Sequence, residues 1–399
     1  MKNSQIIVQK YGGSSLAQPE QIQAIADQIK ILRQDGFQVL LVVSAMGKST
    51  DQLVELAHRV SPSPHRRELD MLLTTGERIS MALMSMALID RGIPAISLTG
   101  SQAGVLTDDR HSNARIIDLK PMRVESELTR GRLIVLAGFQ GVSPSTKEIT
   151  TLGRGGSDTT AVAMAAYFKA QKCEIKKDVD GIYSADPNLV EDTVHLENVH
   201  PLTLLDMTFW GAKVLHYRSC ELAHLLKIPL SIGLAHGESK GTTINHEAPM
   251  YEQAQIISVN SHKSVFQILV KKADLADALG DFTNELNQSS LPMPQLLDSE
   301  KHPEGWTFLI TAASETLHAI DQLCARIQQI ECLQSHLSTI TATCQGAFAS
   351  SVPFEISKAL TQANVKINKF IFGSMSITAV ITSNDRERCL QLIHNLRLT

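Results

Sequence analysis

Segment 150–166, TTLGRGGSDTTAVAMAA, places an arginine and an aspartate in a glycine-rich turn just before a predicted helix. Glycines let a backbone approach a ligand closely, and Ser, Thr or Asp residues ahead of a helix cap its free N–H groups. The N-terminus of a helix behind such a turn is a ready site for an anion. A site for phosphate alone has no need of Arg154 or Asp158. The segment therefore predicts a site that handles both a phosphate and a charged small substrate.

A second glycine loop, KYGGSS at 10–15, follows the predicted strand 5–9. Apolar residues at helical spacing come next, and the apolar run 39–43 is typical of a buried strand. This order of strand, loop, helix and strand predicts a parallel sheet that binds ligands at the carboxyl ends of its strands. The sequence contains neither G-x-x-x-x-G-K-[ST] nor G-x-G-x-x-G, which excludes a Walker-type site and the dinucleotide fingerprint.

A long helical region is predicted between residues 51 and 90, interrupted by SPSP at 61–64. Glu77 lies in an otherwise apolar part of it, where burial of a carboxylate without a partner is costly. This position favours a functional role over that of a surface glutamate. The methionines of the region predict core packing rather than a binding surface; they are Met71, Met81, Met84 and Met86.

The pattern changes around residues 246–255, beyond which shorter strands and helices form two approximate copies of a βαββαβ unit. Residues 288–305 are rich in Ser, Pro and charge and predict a loop or a weak strand pair. The predicted domains are a catalytic domain at 1–246, a first small domain at 247–333 and a second at 334–399. The first small domain is expected to be degenerate, and a strand shared between the two small domains is an open alternative.

The composition, 43% hydrophobic and 20% charged with a net charge of −4, predicts a soluble globular protein. The weak negative charge argues against nucleic acid or an anionic membrane as a partner. The six cysteines show no metal-type spacing and predict reduced thiols in a cytoplasmic protein. The N-terminus enters a strand without the pattern of a secretory signal, and no uninterrupted apolar run predicts a transmembrane span.

Several strings of the sequence occur in the order found in one known family: KYGGSS, SAMGKSTDQL, LLTTGERIS, TGSQAGVLT, GFQGV, TTLGRGGSDTTAVA, DVDGIYSADP, GAKVLH and GTTI. In these strings, which cover nearly all of 1–246, the chain resembles the aspartate kinases of the amino acid kinase superfamily. Over 247–399 it resembles a pair of ACT-type domains, the usual regulatory tail of that family. The resemblance implies an α/β fold, in which a three-layer αβα amino acid kinase-like domain with a mainly parallel central sheet precedes two ferredoxin-like βαββαβ domains.

The resemblance also implies an activity. An aspartate kinase transfers the γ-phosphoryl group of ATP to the β-carboxylate of L-aspartate and gives 4-phospho-L-aspartate, the first step towards lysine, threonine and methionine. A carboxylate is already a nucleophile, so positioning and charge neutralisation carry the catalysis without a general base. ATP is expected to bring Mg²⁺ as a second cofactor, and no protein ligand to the metal is assigned.

Roles for the catalytic and substrate-binding residues follow from the same resemblance. Lys10 matches the lysine that bridges the phosphoryl group in flight, and Asp158 matches an organiser of the active-site lysines that also starts the helix. Glu77 matches the binder of the α-ammonium group of aspartate, and Arg154 the bidentate binder of a substrate carboxylate. Further contacts with the substrate are implied for Ser44, Thr50 and Ser157.

For the nucleotide, the resemblance implies a site built from several segments: Lys10, Tyr11, Gly12, Gly13, Lys177, Asp178, Tyr183, Asn188 and Lys213. The chain departs from the family at three positions. Lys177 replaces a usual Ser or Thr, Asn188 replaces a usual arginine, and Tyr217 replaces a frequent proline. Loss of the arginine removes a cation from the nucleotide side, and Lys177 is the candidate to replace its charge.

ACT domains in this family usually bind lysine or threonine, and here the first copy departs from the family pattern. Ala273-Asp274-Leu275-Ala276 replaces the usual Pro-Gly turn, and 291–294 replaces an Asn-Ile-Asp-like strand. The second copy, with Val352-Pro353 and 364–368, is closer to that pattern. We therefore predict weak or absent feedback by lysine or threonine, and a homodimer formed through the ACT-like domains.

Two other functions stay open at this point. An amino acid kinase for another carboxylate, such as glutamate, is disfavoured because Glu77 and Arg154 lie within aspartate-kinase strings. A non-catalytic or weakly active regulatory partner of another aspartate kinase is suggested by Lys177 and Asn188.

Overall fold

The structure, a computed structural model, describes residues 6–237, 239–248, 255–289, 291–345 and 351–398. The chain forms two compact units. The first comprises Met1–Ile182, His195–Leu205 and Lys213–Pro249, and the second comprises Tyr183–Val194, Asp206–Ala212 and Met250–Thr399. Two short segments of the predicted catalytic domain thus belong to the second unit, and the domain limits given above stay a prediction.

The described residues before position 249 form fourteen strands and seven α-helices. The strands are β1 Ile6–Tyr11, β2 Gln38–Val43, β3 Ala95–Leu98, β4 Val105–Thr107, β5 Ile116–Leu119, β6 Leu133–Ala137, β7 Gln140–Val142, β8 Ile149–Thr151, β9 Lys172–Lys177, β10 Ile182–Tyr183, β11 His195–Leu196, β12 Asn198–Val199, β13 Leu230–Leu234 and β14 Thr242–Ile244. The helices are α1 Pro19–Gln34, α2 Ser49–Val60, α3 Arg66–Asp90, α4 Met122–Thr129, α5 Gly156–Tyr167, α6 Pro201–Phe209 and α7 Tyr217–Leu225.

The first unit is built on an eight-stranded sheet with the order β12-β14-β13-β9-β1-β2-β6-β3. Neighbouring strands from β13 to β3 run parallel, and β14 is antiparallel to β13. The strands β2 and β6 are continuous apolar runs, QVLLVV and LIVLA, as expected of strands covered on both faces. The predicted mainly parallel central sheet is confirmed.

Helices pack on both faces of this sheet. The helices α1 and α3 form one core cluster with alternate residues of β2 and β6, such as Leu41 and Val135. The alanine-rich α5 packs against β1, β2 and β9 and shares no member with that cluster. Because the sheet is parallel, the carboxyl ends of β1, β2, β6 and β9 lie at one edge, where Lys10, Ser44, Gly138 and Lys177 are found.

The long helix α3 has a buried face and an exposed apolar face. Met81 and Met84 belong to the core, whereas Met86 is 59% exposed, so the prediction of core packing is wrong for Met86. Residues two apart lie on nearly opposite sides of a helix, and Met84 and Met86 therefore cannot both face the sheet. Over the described residues, α3 is the one helix long and apolar enough to cross a membrane, and 56% of its most apolar window is buried inside the protein.

A small four-stranded sheet with the order β5-β4-β7-β8 also belongs to the first unit. The strands β4 and β7 are parallel, and the other pairs are antiparallel. The strand β8 ends at Thr151 and leads directly into the glycine-rich turn before α5. This sheet therefore sets where that turn begins.

In the second unit, the residues described after position 254 form seven strands and four α-helices. They are β15 Gln255–Asn260, β16 Val265–Val270, α8 Leu275–Gln288, β17 Gln295–His302, β18 Gly305–Thr311, α9 Ser314–Cys324, β19 Ile330–Gln345, α10 Val352–Gln362, β20 Ile367–Phe372, β21 Ser376–Thr382 and α11 Arg386–Asn395. The strands form one antiparallel sheet with the order β17-β18-β16-β19-β21-β20, and β15 pairs with β19.

The 16-residue strand β19 serves both halves of this sheet. It pairs with β16 from Ile330 to Leu337 and with β21 from Leu337 to Thr343. Each half is then a four-stranded βαββαβ-like unit, as the ACT-type interpretation requires. Of the two alternatives for 288–305, the loop is wrong for Gln295–His302, which forms the edge strand β17 and pairs with β18. Its charged sequence is typical of sheet edges, which resist pairing with other chains, and its strand signal is weak for that reason.

Candidate active site

Lys10 and Asp158 form a buried ion pair at the carboxyl edge of the central sheet. Lys10 lies near the end of β1, and its Nζ is 2.6 Å from Asp158 Oδ1. The exposed fractions of the two side chains are 10% and 9%. Asp158 lies in the first turn of α5, but the residue that begins this helix as its N-cap is Gly155. The carboxylate of Asp158 therefore serves Lys10 rather than capping the helix.

Arg154 lies between two glycines in the left-handed region, Gly153 with φ 75° and Gly155 with φ 71°. Gly155 cannot carry a side chain, because a Cβ atom there would overlap His216. Arg154 itself is exposed, and its guanidinium has no hydrogen bond or ion pair with any residue that the structure describes. The turn thus presents a cation that is available to a ligand.

The carboxylate of Glu77 is fully buried and accepts hydrogen bonds from three groups. The Phe139 N–H lies 2.9 and 3.0 Å from its two oxygens, Gln140 Nε2 is at 3.2 Å and Ser157 Oγ at 3.1 Å. Burial raises the pKa of Glu77 to about 8, although these hydrogen bonds oppose the shift. The donors to the carboxylate are neutral, and a cation beside it would favour its ionised form further.

Two of the predicted substrate contacts are linked to Glu77. Ser44 Oγ donates to Ser157 Oγ at 3.0 Å, and Ser157 Oγ donates to the Glu77 carboxylate. Gly138 makes this possible, since a side chain there would overlap Ser157. Thr50 is half-buried in the first turn of α2. The structure thus brings Ser44, Ser157 and Glu77 together, and the roles of all these residues stay predictions.

The glycine loop after β1 closes against the loop after β2. The N–H of Gly47 donates to the Gly13 carbonyl at 2.8 Å, and the N–H of Gly12 makes a long bond of 3.4 Å to the Lys176 carbonyl. The side chain of Tyr11 is buried in the core, and its hydroxyl donates to Gln9 Oε1. Any contact of Tyr11 with a nucleotide would therefore come from its main chain.

The side chain of Lys177 is hydrogen-bonded to the turn that carries Lys213. Its Nζ donates to the Val214 carbonyl at 2.6 Å and to the Lys213 carbonyl at 3.2 Å, and burial lowers its pKa. The side chains of Asp178 and Lys213 are exposed. Lys177 thus joins the end of β9 to the Lys213 turn, a use of this residue that the sequence did not suggest.

Two predicted nucleotide residues, Tyr183 and Asn188, belong to the second compact unit. Asn188 forms a turn with Asp186, whose Oδ1 accepts from both the main-chain N–H and the side-chain amide of Asn188 at 3.0 Å. The contribution of Tyr183 and Asn188 to a nucleotide site stays a prediction.

Comparison with known proteins identifies the family. Residues 5–233 match the model of the amino acid kinase family. The chain is 37% identical, over 98% of its length, to the aspartokinase of Mycolicibacterium smegmatis and covers 95% of that protein. It is 34% identical to aspartokinase 2 of Bacillus subtilis, with 98% of this chain and 97% of that protein covered. The chain belongs to the aspartokinase family.

Aspartokinase architecture extends over the whole chain. The structure of Escherichia coli aspartokinase III in complex with aspartate and ADP superposes with a TM-score of 0.80 and covers 99% of this chain and 100% of that one. The identity is 20%, so this likeness shows the fold alone. The predicted family, the kinase class and the fold class are confirmed.

Four residues of this aspartokinase site were missed by the sequence argument: Asp70, Gln140, His216 and Arg218. Gln140 donates to Glu77, and the other three contact the segments around Arg154. Asp70 lies seven residues before Glu77, two helical turns on the same side of α3, and is likewise fully buried. That spacing of two acidic residues in an apolar helix was the signal that could have revealed Asp70.

No group of three or more His, Cys, Asp or Glu residues suited to a metal ion occurs within the described ranges. Mg²⁺ commonly keeps several waters and binds one or two carboxylates together with substrate phosphates.

Proposed function

We propose that this aspartokinase transfers the γ-phosphoryl group of ATP to the β-carboxylate of L-aspartate through the site of Lys10, Glu77, Arg154 and Asp158. The observation that carries the proposal is Arg154, whose guanidinium has no partner among the described residues, at the start of a helix whose Asp158 holds Lys10. Lys10 is a fixed, buried cation and Arg154 is an available one. Two such cations suit a reaction between two anions, ATP and aspartate.

In the reaction, a β-carboxylate oxygen of aspartate attacks the γ-phosphorus and forms a new P–O bond. The bond between the γ-phosphorus and the bridging oxygen breaks, and ADP leaves with that electron pair. No proton needs to be removed from the nucleophile. Lys10 neutralises charge on the transferring group, and Asp158 keeps the ammonium of Lys10 in place.

Arg154 and Glu77 account for selection of the amino acid. A guanidinium binds a carboxylate with two parallel hydrogen bonds, which fixes both distance and orientation. The α-ammonium group would supply the cation that the buried Glu77 lacks, and it would favour the ionised carboxylate. Ser44, Ser157 and Thr50 supply hydroxyl groups for the remaining polar atoms.

For the nucleotide, the proposal assigns the main chain of Tyr11, Gly12 and Gly13 to the phosphates. Lys177, Asp178, Tyr183, Asn188 and Lys213 complete the proposed nucleotide contacts. Mg²⁺ bound to the ATP phosphates would supply charge neutralisation during transfer. The presence of aspartate and ADP in the complex of Escherichia coli aspartokinase III supports the choice of ligands.

We also propose that the enzyme works in the cytoplasm as a homodimer formed through its ACT-type sheet. All six cysteines are free, as expected in a reducing compartment. Sedimentation velocity of the full chain tests the dimer, and a monomer across the range used in assays would contradict it.

Trapping the acyl phosphate with hydroxylamine, in the presence of ATP, Mg²⁺ and aspartate or glutamate, tests the activity directly. We expect hydroxamate with aspartate and little with glutamate. Arg154→Ala should lower kcat/KM for aspartate by about 10²-fold or more, since it removes a bidentate charged contact. A loss below about tenfold would contradict the role of Arg154. No product at high enzyme concentration would favour the regulatory-partner function.

A further inference from the structure

Two charged side chains from different helices fasten the same pair of segments beside Arg154. Asp70 comes from α3 and Arg218 from α7, and both reach the segments 111–114 and 151–152.

Asp70 makes one of these connections with a fully buried carboxylate. Its oxygens accept from the Thr151 N–H at 3.1 Å, from Thr151 Oγ1 at 2.6 Å and from the Ser112 N–H at 3.1 Å, and His111 Nδ1 lies at 2.8 Å. Ser112 has φ 64°, a left-handed conformation that is unfavourable for a non-glycine residue. The bonds to Asp70 offset this cost and keep the 111–114 segment against Thr151.

Arg218 makes the second connection one residue further along each segment. Its guanidinium donates to the Leu152 carbonyl at 2.8 Å, to the Ala114 carbonyl at 2.8 Å and to Asn113 Oδ1 at 3.1 Å. A planar guanidinium presents several donors in a fixed arrangement, so one side chain can hold three acceptors at set angles. The Ala114 N–H also donates directly to the Thr151 carbonyl at 2.9 Å.

These connections end immediately before Arg154. Thr151 and Leu152 are held, and Gly155 on the other side of Arg154 packs against His216. The backbone on both sides of Arg154 is therefore restrained, whereas its guanidinium has no partner among the described residues. A side chain orients a ligand most effectively when its backbone is already fixed before the ligand binds.

We propose that Asp70 and Arg218 are positioning residues for Arg154, and that they set the affinity for the carboxylates of the amino acid substrate without touching it. Asp70 is fully buried and Arg218 is half-buried. Burial of a charged group is costly, and apolar side chains can often fill such places at no loss of stability. We infer that Asp70 and Arg218 are charged because their hydrogen bonds hold the backbone beside Arg154 in place. This inference rests on the proposed role of Arg154 in binding aspartate.

A double-mutant cycle tests the proposal in the full-length enzyme. We expect Arg218→Met to raise KM for aspartate about tenfold and to change KM for ATP less than about twofold. If Arg218 acts through Arg154, then Arg218→Met should add less than about twofold in the background of Arg154→Met. Arg123→Met, an exposed arginine on α4, is the matched control and should change neither constant.

Two gentler variants keep the test decisive if Arg218→Met does not fold. Asp70→Asn keeps the shape of the side chain and should also raise KM for aspartate selectively, whereas Arg218→Lys should have a smaller effect than Arg218→Met. Equal changes in both KM values, or additive effects in the cycle, would overturn the inference. If Arg154→Met raises KM for aspartate and the other variants do not, this inference alone fails. If Arg154→Met itself leaves that KM unchanged, the proposed role of Arg154 fails as well.

Discussion

The ammonium group of Lys10 lies 2.6 Å from the carboxylate of Asp158, and this buried pair joins the end of β1 to the first turn of α5. A lysine held in this way has little freedom to move. The glycine-rich turn before α5 brings Arg154 to the same helix start. Arg154 and Asp158 are therefore close in the sequence and have different proposed roles. Asp158 holds Lys10, and Arg154 binds the substrate.

Lys10→Met should abolish most of the activity while the other substrate contacts persist. We expect kcat to fall by about 10²- to 10³-fold, as for loss of one donor that stabilises charge in a transition state. Hydroxamate formation at saturating ATP and aspartate measures the change. Lys30→Met, an exposed lysine on α1, is the control. A Lys10→Met enzyme within about tenfold of wild type would exclude Lys10 from the reaction.

Glu77→Gln should stabilise the protein at alkaline pH and impair the reaction. The pKa of Glu77 is raised to about 8 by burial, so the unfolded chain ionises at lower pH than the folded one. The free energy of unfolding of the wild type therefore falls as the pH rises from the usual range of a glutamate through about 8. Glutamine is neutral at every pH and removes that fall.

Denaturant unfolding at pH 5 and pH 8 measures this difference. We expect Glu77→Gln to gain stability relative to the wild type between the two pH values, by a few kcal/mol, since one pKa unit corresponds to about 1.4 kcal/mol. The same variant should lose about 10²-fold in kcat/KM for aspartate, because an amide does not neutralise the α-ammonium group. Equal pH dependence of the two proteins would show that Glu77 is ionised in the fold.

Local sequence patterns predicted much of the first unit. The apolar runs of β2 and β6 and the glycine loop after β1 indicated a parallel sheet with a site at its carboxyl edge. The structure has the parallel sheet, and the site stays a prediction. The pairing of Lys10 with Asp158 could not be predicted from spacing, because 148 positions separate them in the sequence. It depends on how β1 and α5 pack.

Side chains that hold other segments in place were the hardest to predict. Arg218 reads as an ordinary polar residue of α7, and its role depends on the fold of residues more than sixty positions earlier. Met86 was predicted to lie in the core and is exposed. Composition alone does not tell which face of α3 meets the sheet. The edge strand β17 could not be told from a loop, because its charged residues are typical of an exposed edge rather than of a buried strand.

Lys177→Met should weaken the binding of ATP and leave that of aspartate unchanged. The Nζ of Lys177 holds the carbonyls of Lys213 and Val214, so its loss frees the turn that carries the proposed nucleotide lysine. We expect KM for ATP to rise about five- to tenfold, with KM for aspartate within about twofold. Lys172→Met, at the other end of β9, is the control. A larger effect on aspartate than on ATP would contradict this role of Lys177.

Lysine and threonine should have little effect on the activity, because the first ACT-type half lacks the usual turn. In its place Asp274 caps α8, and its carboxylate accepts from the N–H groups of Ala276 and Asp277 at 2.8 and 3.4 Å. An acidic cap at this helix start occupies donors that a bound amino acid carboxylate would need. We expect each amino acid at about 1 mM to change the rate less than about twofold, below the 5- to 150-fold typical of allosteric coupling. Strong inhibition by lysine or threonine at sub-millimolar concentration would contradict the prediction, and an Asp274→Gly variant that gains inhibition would support the proposed cause.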